Sequence, residues 1–306
     1  MRPVQHLMIT IMSVSTITHM SMTAKAKKML ESIVDFIHYP FLTRALITTV
    51  FLAMTCGLLS PIVIAKRYAF VGSAVSHSTL LGLAIGIYFG GSESSMTLFL
   101  WTLIITLILS MFLAKSTWRQ ALPSDTLIGL FFTATMGLGT LVHALSTRSS
   151  GDLLSYLFGN VLLLTNTDVA ISIIVSLLII PLILIPWKSW LMSTYDEDFA
   201  IISGVPAKAL HYIFTIALTA LIVSAIKVSG TVLVNALLLT PGFFALRFAR
   251  SLKSTFTLSV LYSIVTALLG LVLANYLETP SGATLAVTQV ALLMIAILIT
   301  KMTKKS

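Results

Sequence analysis

Gly72-Ser73-Ala74-Val75-Ser76-His77-Ser78-Thr79-Leu80-Leu81-Gly82 opens an apolar segment that runs on to about Tyr88. These eleven residues carry one imidazole and four hydroxyls. The segment is long enough to span, since a crossing helix needs roughly 20 mostly apolar residues. An ionisable ring inside such a helix is costly unless it faces a partner or a water-filled path. The first question about this chain is therefore what His77 faces.

The rest of the sequence repeats the pattern of apolar runs. The 306 residues are 57% hydrophobic and only 9% charged, and the mean hydropathy is +1.02. A soluble domain usually has about a quarter charged residues. The composition is that of an all-α polytopic membrane protein, because an isolated span satisfies its backbone hydrogen bonds only as a helix. We predict about nine membrane segments (eight to ten), near 41–64, 70–89, 96–114, 126–146, 168–187, 208–226, 229–246, 255–277 and 283–300. Residues 41–302 then form a single transmembrane domain, and residues 1–40 an N-terminal extension. Val4 to Met22 is only mildly apolar, and Met22 and Met29 are alternative starts.

Basic residues orient the spans. Lys66 and Arg67, Lys115 and Arg119, Lys188 and Lys208, then Arg247, Arg250 and Lys253 fall in alternate loops, and Lys301 follows the last span. Cytoplasmic loops carry the excess of Lys and Arg, which puts these loops inside. The loops with Glu93, Arg148, Asp152 and Glu278 are then outside. The alternation closes only if residues 151–166 do not cross. The Lys25–Lys28 cluster falls outside, against the rule.

The formal charge of +9 does not indicate a nucleic-acid partner, because the basic residues sit singly or in pairs between apolar runs. No GxxxxGK[ST] or GxGxxG motif is present, so any ATP hydrolysis belongs to another chain. The single Cys56 excludes a disulfide framework, and no Cys/His cluster has structural-zinc spacing. No catalytic or cofactor-binding residue is assigned.

Three shorter segments stand out. Asp152 to Leu164 is apolar but about half a span long, which suits a re-entrant or an interfacial helix. The loop Tyr195-Asp196-Glu197-Asp198-Phe199-Ala200-Ile201-Ile202-Ser203-Gly204-Val205-Pro206 is the most acidic part of the chain. It predicts a short helix closed by Gly204 and Pro206. By its residues alone this loop is a solvated connector; the alternative is a docking knob for a soluble partner. Thr240-Pro241-Gly242 interrupts the seventh span near its inner end, as a hinge or as the end of the span. His143 and His211 lie near span ends, and an interfacial position accounts for both.

Several blocks in order resemble the integral membrane permeases of ATP-binding-cassette importers for zinc, manganese and iron. They are Lys66 to Gly72 with Ser76-His77 and Leu80-Leu81-Gly82, Tyr156-Leu157-Phe158-Gly159-Asn160, and Asp198-Phe199-Ala200 with Gly204-Val205. Leu237-Leu238-Leu239-Thr240-Pro241, Arg247-Phe248-Ala249-Arg250 and Thr279-Pro280-Ser281-Gly282-Ala283-Thr284 complete the set. The resemblance covers about Met29 to Lys301. Leu80-Leu81-Gly82 and the Arg-Phe-Ala-Arg run look more like the zinc members.

The resemblance implies a homodimeric permease of the bacterial plasma membrane that works by alternating access. Two copies of a cytoplasmic ATPase and an extracytoplasmic metal-binding protein are the implied partners, and a divalent metal ion, zinc first, is the cargo. Asp198, Phe199 and Gly204 would belong to the ATPase-coupling loop. Relatives carry Asp-x-x-x-His on the second span, which puts both side chains on one helical face. Here His77 is the metal-contacting candidate and Ser73 stands at the Asp position. Asn160 stands where zinc relatives often have Asp. The alternatives are a stand-alone secondary transporter or channel, or a degenerate permease retained for assembly.

Overall fold

The computed structural model describes residues 36, 38–90, 95–118, 124–145, 159 and 164–303. The described residues form helices and no strands. In chain order these are α1 (Pro40–Ala65), α2 (Ala69–Gly90), α3 (Ser95–Thr117), α4 (Ser124–Leu145), α5 (Asn166–Leu184), α6 (Trp187–Tyr195) and α7 (Glu197–Ile202). Helical backbone then runs over Ala207–Phe248 with a break at Gly230, where φ is 70° and ψ is 169°. Its two arms are α8 (Ala207–Ile226) and α9 (Gly230–Phe248), followed by α10 (Leu252–Leu277) and α11 (Ser281–Thr303). All but α6 and α7 are long and apolar enough to cross a membrane, nine spans among the described residues.

Local chemistry sets several helix ends. Pro40 opens α1, where its missing N–H costs nothing. Thr165 and Asp168 form a capping box at the start of α5. The Asp196 carboxylate accepts from the Phe199 N–H at 2.8 Å and caps α7. Glu278 ends α10 in the left-handed region, with φ of 55°.

α1, α2 and α8 form the centre of the bundle, each with 72% of its apolar window buried, against 17% for α4 and 22% for α3 and α11. The peripheral helices turn apolar side chains such as Ile108, Phe112 and Leu130 outward. In a bilayer this surface meets lipid, so helix contact rests on close packing of small residues. A Cβ on Gly57 would come within 2.9 Å of the α10 backbone at Val260, and one on Gly82 within 2.9 Å of the Thr102 carbonyl on α3.

Two prolines break hydrogen-bond ladders in the core. Pro61 leaves the Gly57 carbonyl without its helical donor, and the Ser259 hydroxyl donates to that carbonyl at 2.6 Å. Near Pro241, the Ser60 hydroxyl donates to the Leu238 carbonyl at 2.7 Å and accepts from the Gly242 N–H at 2.6 Å. The hydroxyl is thus inserted into one i→i−4 link of α9. A Cβ on Gly242 would lie 2.5 Å from the Ser60 carbonyl oxygen. The span does not stop at Thr240-Pro241-Gly242: helix continues to Phe248, because Ser60 replaces the bonding that the break disturbs.

The reversal comes at Gly230 instead. His211 on α8 lies against Tyr68 and Ala114 at the α1–α2 end of the bundle. Gly242 on α9 meets Ser60 near the same end, so the two arms run in opposite directions. At the opposite end Arg44 reaches the Leu164 carbonyl at 3.4 Å, which puts the starts of α1 and α5 together. The half-span over Asp152 to Leu164 lies outside the described residues, apart from Gly159 and Leu164.

Candidate functional site

α2 carries the opening stretch through the middle of the bundle. Three of its hydroxyls are satisfied on their own helix: Ser76 donates to the Gly72 carbonyl, Ser78 to Val75 and Thr79 to Ser76, at 2.6–2.9 Å. Ser76 also reaches the Asn235 side-chain oxygen on α9 at 3.2 Å. Ser and Thr in apolar helices commonly bond back to their own carbonyls in this way.

His77 differs. Its ring stands edge-on to Phe132 of α4, with centroids 4.6 Å apart and planes at 76°. Its Nδ1 is buried and has no hydrogen-bond partner among the described residues. Leaving such a group unpaired costs about 1–3 kcal/mol. A neutral imidazole nitrogen is also the commonest protein ligand for a transition metal. Ser73 is half-buried one turn earlier on the same helix. Among the described residues no three His, Cys, Asp or Glu side chains gather where they could hold a metal. The described residues of one chain therefore offer a single imidazole here and not a closed cage.

α7 forms a compact hook at the α1–α2 end. Ala200 is fully buried against the bundle, while Phe199 and Ile202 are 56% and 84% exposed. The Val205 N–H donates to the Ala200 carbonyl at 2.9 Å and closes the hook. Gly204 sits at φ of 80°, a conformation that disfavours any side chain. Asp198 and Gly204 are exposed.

His211, near the start of α8, is enclosed by the bundle. It is 3% exposed, with Nδ1 2.8 Å from the Tyr68 hydroxyl and Nε2 3.0 Å from the Ala114 carbonyl. The carbonyl can only accept, so in the neutral ring Nε2 carries the proton and Nδ1 accepts from Tyr68. Lys66 lies over the Tyr68 ring at 5.9 Å. Burial pulls the Lys66 ammonium below its usual range, and the Glu197 charge opposes that. Burial pushes the Tyr68 phenol well up, and Glu197 adds to the rise.

A model of the ABC 3 transport family matches residues 38–300. The chain belongs to this family. It is similar to the manganese transport system membrane protein MntC of Listeria monocytogenes, 30% identical over 85% of this chain and 91% of that protein. The high-affinity zinc uptake system membrane protein ZnuB of Haemophilus influenzae is 26% identical over 85% and 97%. Among solved structures, PsaBC from Streptococcus pneumoniae in complex with Fab superposes with a TM-score of 0.76 at 29% identity, covering 87% of this chain and 94% of that one.

In this ABC 3 family member one acid escaped the reading of the motifs. Asp168 is 7% exposed and lines a cavity of about 50 Å³ with Thr79, Thr102 and Ser224. Its signal was the capping box Thr165-x-x-Asp168, which gives a carboxylate at the start of a span. Its Oδ2 accepts from the Thr165 N–H at 2.9 Å. The cavity faces Thr79, and Thr79 lies about 200° round α2 from His77 at 100° per residue. Asp168 is therefore not the acid missing beside Ser73. Asn160, Glu93 and Asp152 lie outside the described residues.

Proposed function

We propose that this chain is the permease subunit of an ATP-driven importer of divalent metal ions in a bacterial plasma membrane, with zinc as the preferred cargo. Two copies form the pathway, two copies of a cytoplasmic ATPase drive it, and an extracytoplasmic binding protein supplies the ion. The observation that carries this reading is His77: a half-buried imidazole on α2 whose buried Nδ1 has no hydrogen-bond partner among the described residues. A nitrogen ligand suits zinc. A second copy would add a second imidazole, while Ser73 leaves each copy without a carboxylate. Such a site holds an ion loosely, as a transit point requires. Asp198, Phe199 and Gly204 shape the element that meets the ATPase. Among the curated relatives zinc and manganese systems both occur, so the preference for zinc rests on Leu80-Leu81-Gly82 and Arg247-Phe248-Ala249-Arg250.

The test is uptake of labelled zinc, with manganese and iron as competitors, in proteoliposomes holding the permease, its ATPase and its binding protein. ATP-dependent zinc uptake that excess manganese fails to compete is the expected result. Uptake of manganese or iron in preference would overturn the zinc assignment. Flux of equal size without the ATPase would overturn the importer itself.

A further inference from the structure

The Tyr68–His211 bond lies away from the His77 site, and it joins α8, which follows α7 directly, to the turn that leads into α2. We propose that Tyr68 and His211 are the positioning residues through which movement of α7 reaches α2. The proposal rests on reading α7 as the ATPase-docking element.

α7 has little slack against α8. Four residues separate Ile202 from Ala207. Gly204 holds a fixed left-handed turn, and the Val205 N–H is bonded back to Ala200. Pro206 then leads into α8 with its φ locked by the ring. Displacement of α7 is thus delivered to the first turn of α8, and His211 is the next turn.

From His211 two bonds leave in different directions, one to the end of α3 at Ala114 and one to Tyr68. The ring has neighbours on its other faces, with Trp118 at 5.0 Å between centroids. It cannot swing without breaking one bond or the other.

Tyr68 is itself fixed to α2. Its N–H donates to the Val63 carbonyl at 2.8 Å, and its carbonyl accepts from the Gly72 N–H at 3.0 Å. The preceding Arg67 sits at φ of 57°, a region that side-chain-bearing residues rarely occupy. The α1–α2 connection is therefore taut. His77 lies nine residues beyond Tyr68, about 13–14 Å along a helix that rises 1.5 Å per residue. A shift at Tyr68 moves α2 along or about its axis, and His77 with it. Glu197, the first residue of α7, is near enough for its charge to act on both Lys66 and Tyr68, so α7 lies beside this turn.

The bland alternative is that the pair only stabilises the bundle. The two roles separate in the number of ions transported per ATP hydrolysed. In proteoliposomes holding permease, ATPase and binding protein, Tyr68→Phe keeps the ring and removes the hydroxyl. His211→Phe keeps a ring and removes the acceptor for Tyr68, together with the donor to Ala114. Each variant is expected to retain ATP hydrolysis and to lose several-fold in ions per ATP. The double variant is expected to be no worse than His211→Phe alone, because Tyr68→Phe then has no further bond to His211 to remove. An unchanged ratio in both single variants would overturn the proposal, whatever happens to melting temperature. Wild-type protein that takes up no metal with ATP would instead overturn the permease reading beneath it.

Discussion

His77 and His211 sit in two regions built on opposite rules. His211 has a partner on each nitrogen, contributed by α2's leading turn and the end of α3, and it is almost fully buried. His77 is half-buried, touches Phe132 by ring contact, and among the described residues has no partner on the buried Nδ1. The protein thus spends polar contacts on one imidazole and withholds them from the other. A buried polar group is normally paired. One that is not is a candidate for a ligand that comes and goes.

Exchanging the two rings for phenyl gives the largest test of that contrast. His77→Phe is expected to abolish ATP-dependent metal uptake and to leave the melting temperature of the purified protein within the error of the wild type. If its melting point falls as far as that of the His211 variant, the contrast collapses. His211→Phe comes next. It strands the Tyr68 hydroxyl, while the Ala114 carbonyl keeps the Trp118 N–H at 3.1 Å, and one stranded buried group costs about 1–3 kcal/mol, which thermal unfolding in detergent would register as a clear loss.

Ser60→Ala sharpens the same comparison at the other packed junction of this end. It removes the hydroxyl between the Gly242 N–H and the Leu238 carbonyl. These two groups can partly re-pair directly, so the expected cost is about 1 kcal/mol, that of one net hydrogen bond, seen as a small drop in melting temperature. Gly242→Ser at the same crossing should be worse than Ser60→Ala, since a Cβ there meets backbone at 2.5 Å. The smallest effect on stability is expected of Ser73→Asp. It restores a carboxylate one turn from His77, and uptake at low metal concentration should rise while melting changes little. Unchanged uptake would mean that the ion does not pass the Ser73–His77 face.

The spans were legible because each is a run of about twenty apolar residues between charges, a signal that needs no knowledge of neighbours. The reversal between α8 and α9 was legible too, although its cause, Gly230 at φ of 70°, was not singled out. The sequence put His77 ahead of His143 and His211 as a metal ligand, but it could not show what each ring is bonded to. The partners of His211 lie 143 and 97 residues away along the chain, and nothing local marks Tyr68 as one of them. Its place near a span end gave no sign that the structure would bury it. Asp168 was overlooked for a similar reason: a capping acid reads as local chemistry until α2, α3 and α8 close a cavity around it.

The sequence by itself determined that the chain is a helical membrane protein, roughly where each helix begins and ends, and that α2 carries an imidazole into the bilayer. These follow from side-chain hydropathy and from the backbone's need to bond to itself where water is absent. Only the tertiary structure decided which polar groups are satisfied. Ser60 completes a link in α9, Ser259 serves the carbonyl that Pro61 leaves bare, and Tyr68 holds His211. The opening stretch joins this account at one atom, the Nδ1 of His77. Whether a buried nitrogen has a partner depends on distances of 3 Å between helices far apart in the chain, and hydropathy carries no record of them.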